Sequence, residues 1–354
     1  MILPTTSSAG LLLLALMFVC WGCWGATQKV TGKWRHEFYS WDFSLGVLLC
    51  MVVAAFTFGS MDTSELTFQE NFLIASTRKI AYAAGAGALF TLANVLLISA
   101  VAVSGLAVSF PASLGVATVI GVVWNFAFNP SSAAVVPLGG AVLILGAIVL
   151  MAFAHSSHRD ALAEAAKMGA LRIDPRSKPG KKPKRPTAAL GIVLGIASGI
   201  FAGFVPPILQ IVREGDNGVG PYGLGVLFAV GMFFSTVIFS PFVVNFPLTG
   251  NPVAVLDFMR SPIRLHALGW LGGILWAAGA AASYVLAGST AGAAVGAMAV
   301  AGFTHSPAIL AMLLGLLIWR EFQGSGDRTR ALLWGVVVLY AAGVAMIALA
   351  PSFA

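Results

Sequence analysis

Arg172-Ile-Asp-Pro-Arg176-Ser-Lys178-Pro-Gly-Lys181-Lys182-Pro-Lys184-Arg185-Pro186 is the core of the one long hydrophilic stretch in this chain, which runs from His155 to Pro186. It is basic and proline-rich and has little apolar surface to bury, so it reads as a linker. Each flank carries about five apolar runs near the roughly 20 residues that a helix needs to cross a bilayer. An odd number of spans per half obliges the second half to enter the membrane in the opposite orientation. That is the layout of an inverted repeat, an architecture found above all in transporters.

Working outward, the predicted spans cover 8–27, 43–60, 77–101, 105–126 and 132–154 before the linker. After it they cover 187–212, 221–245, 264–287, 292–319 and 329–350. The chain therefore divides into a five-helix repeat (1–154), a basic linker (155–186) and a second five-helix repeat (187–354). Backbone groups in lipid must be satisfied within the segment, so these runs are helices; a membrane barrel would need a period-2 alternation that they lack. The expected fold is an all-α membrane protein of ten transmembrane helices.

Composition points the same way. Mean hydropathy is +0.91, and 58% of residues are apolar against 9% charged, where a soluble domain carries about 25% charge. The net charge of +7 sits mostly in loops, so it reads as membrane topology rather than nucleic-acid binding. Cys20, Cys23 and Cys50 all fall in apolar runs. Cys20-Trp-Gly-Cys23 lies inside the first span, where soft packing residues explain it better than redox chemistry. The N-terminus lacks the basic region of a signal peptide, so the first apolar run is expected to be retained. Seventeen of the 20 Lys and Arg residues fall on the linker's side of the membrane. The positive-inside rule then places the linker in the cytoplasm of a plasma (inner) membrane and both termini outside.

Two nearly loopless hairpins recur at corresponding places, Val103-Ser104-Gly105-Leu-Ala-Val108 and Thr290-Ala291-Gly292-Ala-Ala-Val295. Further on, Gly121-Val-Val-Trp124 echoes Gly315-Leu-Leu-Ile-Trp319. With Asn94, Ile120-Gly121 and Asn125, this pattern resembles the drug/metabolite transporter (DMT) superfamily, and within it the ureide permeases. Gln28-Lys29-Val30 followed by Lys33-Trp34 and Glu37 resembles the L-rhamnose symporters. Gly273-Ile-Leu-Trp276 and Trp319-Arg320-Glu321-Phe322 resemble the bacterial glucose-uptake permeases. The resemblance implies the superfamily's fold, two inverted five-helix repeats around a central cavity, and a sugar- or ureide-like solute. The linker lacks the G-x-x-x-x-G-K-[ST] pattern, so nucleotide control and other cofactors are not expected.

No Asp or Glu falls inside a predicted span, which argues for an uncharged solute and against a buried carboxylate relay. Candidate solute-binding residues are Trp24 and Gln28 on the first span, Asn94 on the third, Ser109 and Ser113 flanking Pro111 on the fourth, and Gln210 after Pro206-Pro207 on the sixth. Trp276 and Tyr284 on the eighth and His305 beside Pro307 on the ninth complete the set. Indole rings stack on sugars and heterocycles, although they also form interfacial belts. A buried Asn or Ser either meets solute or bonds another helix. His305 and Glu321 are the candidates for proton coupling. Glu321 can instead pair with Arg320 or Arg328 at the membrane face. Gly191, Gly195, Gly199 and Gly203 repeat every four residues and read as a packing face, not a phosphate cradle.

The expected function is alternating-access transport of a small neutral polar solute, possible partners being that solute, the bilayer, protons and a second copy of the chain. The alternatives are a metabolite or multidrug exporter, with a greasier cavity, and a membrane enzyme, which would need clustered Asp, His or Arg at one face.

Overall fold

The computed structural model describes residues 1–32, 34–61, 66–128, 135–173, 188–215, 217–247 and 252–353. The basic core of the linker (174–187), Lys33, Asp62 and Glu65 lie outside the described residues. Among those described there is no strand. The helices are α1 (Ser7–Val30), α2 (His36–Phe56), α3 (Phe68–Ile74), α4 (Thr77–Ser104), α5 (Leu106–Phe128), α6 (Val135–Ile173), α7 (Ala188–Gly203) and α8 (Val205–Arg213). The second half continues with α9 (Pro221–Asn245), α10 (Leu256–Met259), α11 (Ile263–Ala287), α12 (Thr290–Val295), α13 (Ala297–His305), α14 (Pro307–Leu313) and α15 (Asp327–Leu349). Ten spans among them are long and apolar enough to cross a membrane. The chain is a multi-pass, all-helical membrane protein.

Local chemistry sets the ends. The Thr6 hydroxyl accepts from the Ala9 amide and caps α1. Thr67 and Glu70 form a reciprocal capping box at α3, and the amide and hydroxyl of Thr67 donating to the Glu70 carboxyl hold it below the ordinary glutamate range. Gly105 adopts φ 84° between α4 and α5, a left-handed conformation glycine reaches without steric cost. Pro221 and Pro307 stand in first turns, where a missing N–H is harmless.

Four boundaries differ from those expected. Helix α2 begins at His36 rather than residue 43, so Glu37 and Asp42 do lie inside a span. Arg35 neutralises Glu37 and His266 bonds Asp42, which is how their charges are accommodated. Helix α6 runs to Ile173, so the segment from residue 155 is helical where a linker was expected. The sixth span is divided at Phe204 into α7 and α8, just before Pro206. The ninth is broken into α12, α13, α14 and a π-helical turn over Leu314–Ile318. Gly296 (φ 87°) and Pro307 make the breaks, and Gly292 sits within α12 rather than at the hairpin turn.

The spans pack in a closed order. Helix α1 lies on α11, α11 on α2, α2 on α9, α9 on α4, α4 on α7, α7 on α5, α5 on α6 and α6 on α15, while α14 touches α1 and α5 and α13 touches α15. Paired glycines bring backbones together at several crossings, two of which flank the centre. A Cβ on Gly87 would overlap the Phe228 carbonyl and one on Gly231 the Ala84 carbonyl, at α4–α9; Gly46 and Gly273 stand in the same relation to Trp270 and Phe43 at α2–α11. Gly195, Gly199 and Gly203 of α7 face α5. Without a hydrophobic drive between helices in lipid, such close approach is the main source of cohesion.

Candidate functional site

Between these crossings four rings meet at the centre. Trp276 lies 4.5 Å from Phe90 and is stacked on Phe228 at 5.6 Å and 16°; Phe43 completes the group at 6.4 Å from Trp276. Trp24 joins through Phe43 (4.9 Å) and Phe110 (5.3 Å), the latter seated on Gly25. Tyr284 meets Phe228 edge-on at 6.4 Å. The fold thus brings Trp24, Trp276 and Tyr284 into one buried aromatic body, and Trp21 Nε1 donates to the Trp276 carbonyl.

Polar groups border this body. Gln28 is only 6% exposed; its Nε2 donates to the Ile98 carbonyl at 2.7 Å, while its Oε1 has no donor. Asn94, 3% exposed, precedes Ile98 by about one turn of α4, and its Oδ1 likewise has no donor. Ser109 is buried with an unpartnered hydroxyl. Gln28 also lines a cavity of about 150 Å³ with Lys29, Thr31, Gly32, Trp34, His36, Val101 and Ala102.

Other expected residues go elsewhere. Ser113 bonds Ser198 at 2.8 Å, and Ser198 donates to the Ala93 carbonyl, so Ser113 ties α5 to α7 and α4. Gln210 is exposed and donates to Glu214; α8 turns it away from the centre. His305 Nδ1 lies 3.1 Å from Thr118 Oγ1, joining α13 to α5 away from the aromatic body.

Glu321 pairs neither with Arg320 nor with Arg328. Its carboxylate accepts from the amides of Leu106 (2.9 Å) and Ala107 (2.8 Å) at the start of α5 and meets Lys29 Nζ at 2.7 Å. A carboxylate on a helix N-terminus answers the partial positive charge of its open amides. Gly105 and Gly315 leave the room, since a Cβ on either would strike the carboxylate. The π turn and the left-handed Arg320 (φ 49°) swing the chain inward to deliver it.

A second polar cluster, missed in the sequence, lies at the same end of the bundle. Asp42, 2% exposed, accepts from Trp270 Nε1 at 2.9 Å and lies 2.7 Å from His266 Nδ1. Trp270 is therefore a hydrogen-bond donor to Asp42. His266 and Trp270, four apart on α11, are the available signal, but Asp42 falls outside the span that hydropathy alone predicts.

No family model matches the chain, and no curated protein is similar to it. A solved crystal structure of a protein chain superposes over 96% of this chain and 98% of its own, at 15% identity and a TM-score of 0.50. That likeness concerns the fold alone.

Proposed function

We propose that the chain is a secondary transporter of the drug/metabolite transporter kind, which moves a small neutral polar solute by alternating access. The observation that carries this reading is the pair of buried amide oxygens, Gln28 Oε1 and Asn94 Oδ1, that have no donor. A buried unpaired acceptor costs about 1–3 kcal/mol, and a solute offering O–H or N–H donors beside aromatic faces removes that cost. An exporter of greasy compounds would gain nothing from two such acceptors.

Inverted five-helix repeats fit the packing. Exchanging each span with the one five later turns α1–α11 into α7–α4, α2–α11 into α9–α4, α5–α7 into α14–α1 and α5–α6 into α13–α15, and all these contacts exist. Phe43 and Phe228, Gly46 and Gly231, Gly87 and Gly273, and Phe90 and Trp276 are also separated along the chain by the same interval to within one residue. The broken ninth span supports the same reading, since transporters place solute sites at interrupted helices.

The test is uptake of radiolabelled L-rhamnose, D-glucose, allantoin and uracil into proteoliposomes. Uptake of none of them by the wild type overturns the proposed solute class. For a solute that is taken up, Asn94→Ala is expected to weaken affinity about 2–12-fold, the value of one net hydrogen bond. Normal binding with an early melt would make Asn94 a helix-to-helix bond instead.

The orientation proposed is linker inside and both termini outside. In a background lacking Cys20, Cys23 and Cys50, an impermeant maleimide added to intact cells is expected to label a cysteine at Ser352 and spare one at Ser177. The reverse pattern inverts the topology.

A further inference from the structure

Glu37 and Asp42 are, among the described residues, the two carboxylates buried within a span, and their partners differ in kind. Glu37 is held by Arg35 through two bonds, 3.0 and 2.7 Å, from a guanidinium that does not lose its proton in proteins. Asp42 has His266 at 2.7 Å, and imidazole is the side chain whose ordinary titration falls between about pH 5 and 8. We propose that Asp42 and His266 form the proton-coupling site of the carrier, sharing one exchangeable proton between α2 and α11. This rests on the transport reading above and replaces His305 and Glu321 as the coupling groups.

Charge balance explains the coupling. With the proton bound, carboxylate and imidazolium sum to zero; with it released, the pair carries a net charge of −1. A net charge sealed between packed helices is costly, while in water it is tolerated. The closed form therefore keeps the proton, and release requires α2 and α11 to part.

The surroundings leave that balance to the pair. The second Asp42 oxygen is taken by the uncharged Trp270 N–H. On α2, Arg35 and Glu37 neutralise each other, with His36 Nε2 3.4 Å from Glu37, and the Tyr39 hydroxyl is bonded to Thr27. Lys29 of α1 belongs to Glu321. Arg264 of α11, Asp257 of α10 and the adjacent Arg260 are exposed, and Tyr222 is the one titratable group of α9, at its opposite end. Lys33 lies outside the described residues.

The site is also wired to the centre. Gly269 is bare where Asp42 Cβ packs, and Gly46 and Gly273 hold α2 and α11 in backbone contact. Phe43, the next residue, touches both Trp24 and Trp276, so a shift of α2 at Asp42 moves the wall of the aromatic body. Trp34, which lines the 150 Å³ cavity, stands edge-on to His266 with ring centroids 5.4 Å apart.

Two measurements test this. In proteoliposomes loaded with pyranine under an acid-outside gradient, the wild type is expected to admit protons with whichever of L-rhamnose, D-glucose, allantoin or uracil it moves. In Asp42→Asn and in the double variant Asp42→Asn, His266→Gln, which leave no carboxylate charge to balance, protons admitted per solute admitted should fall toward zero. Asparagine still offers an oxygen to Trp270 Nε1, which guards against misfolding. A wild type that moves solute without protons, or variants that keep the ratio, overturns the site while leaving the transporter reading intact. Should none of these solutes move, the proposed solute class fails and ¹⁵N-histidine NMR in nanodiscs decides whether the pair exchanges a proton. Of the five histidines, the signal lost in His266→Gln should respond to pH, and Asp42→Asn should alter that response. A His266 signal that pH does not move, or that Asp42→Asn leaves unchanged, overturns the proposal.

Discussion

Replacing Glu321 with alanine is expected to lower the stability of the bundle by about 2–4 kcal/mol. The change strips two charge-assisted bonds from the Leu106 and Ala107 amides and leaves them inside a junction that water does not reach freely. It also removes the partner of Lys29. Because the Lys29 side chain is 25% exposed, most of the expected loss is assigned to the amides and little to the ion pair. Glu321→Gln should recover about half of the stability, since one carbonyl oxygen can still accept. Unfolding by SDS titration in mixed micelles measures both. An alanine variant that unfolds at the wild-type SDS fraction removes the capping role. A glutamine variant of full stability that nonetheless loses proton-driven accumulation would return Glu321 to the position of a coupling group.

Gly87→Leu and Gly231→Leu are each expected to cost about 3 kcal/mol or more, at or above the usual penalty for overpacking. The groups in the way are main-chain carbonyls, Phe228 O and Ala84 O, which cannot rotate aside as a side chain can. Gly85, two residues away on the same helix, meets nothing within 4 Å. Gly85→Leu should therefore be neutral or stabilise by up to about 1 kcal/mol through helix propensity. Expression level and SDS unfolding of the three variants check this. Equal behaviour at positions 85 and 87 would mean that α4 and α9 do not cross in contact.

What was legible in the sequence were properties that lipid imposes residue by residue. A bilayer demands a continuous apolar length and internal hydrogen bonding, so ten spans could be read from hydropathy alone. Trp24, Gln28, Asn94 and Trp276 were legible as interior groups for the same reason: aromatic bulk beside glycine, or a lone amide in an apolar run. The start of α2 was not, because Glu37 and Asp42 look like loop residues until Arg35 and His266 are placed beside them. The breaks of the ninth span were only half legible, since Pro307 marks one and the π turn before Trp319 leaves no local signature.

By itself the sequence determined the all-helical membrane class and the span count. The tertiary structure alone decided that Glu321 caps α5 across 215 residues of chain, that Asp42 meets His266 across 224, and that Gln210 is excluded from the centre. Burial of a charge is permitted only by its partner. Where that partner lies far along the chain, composition and periodicity hold no trace of it, and only the crossing of the helices brings the two together.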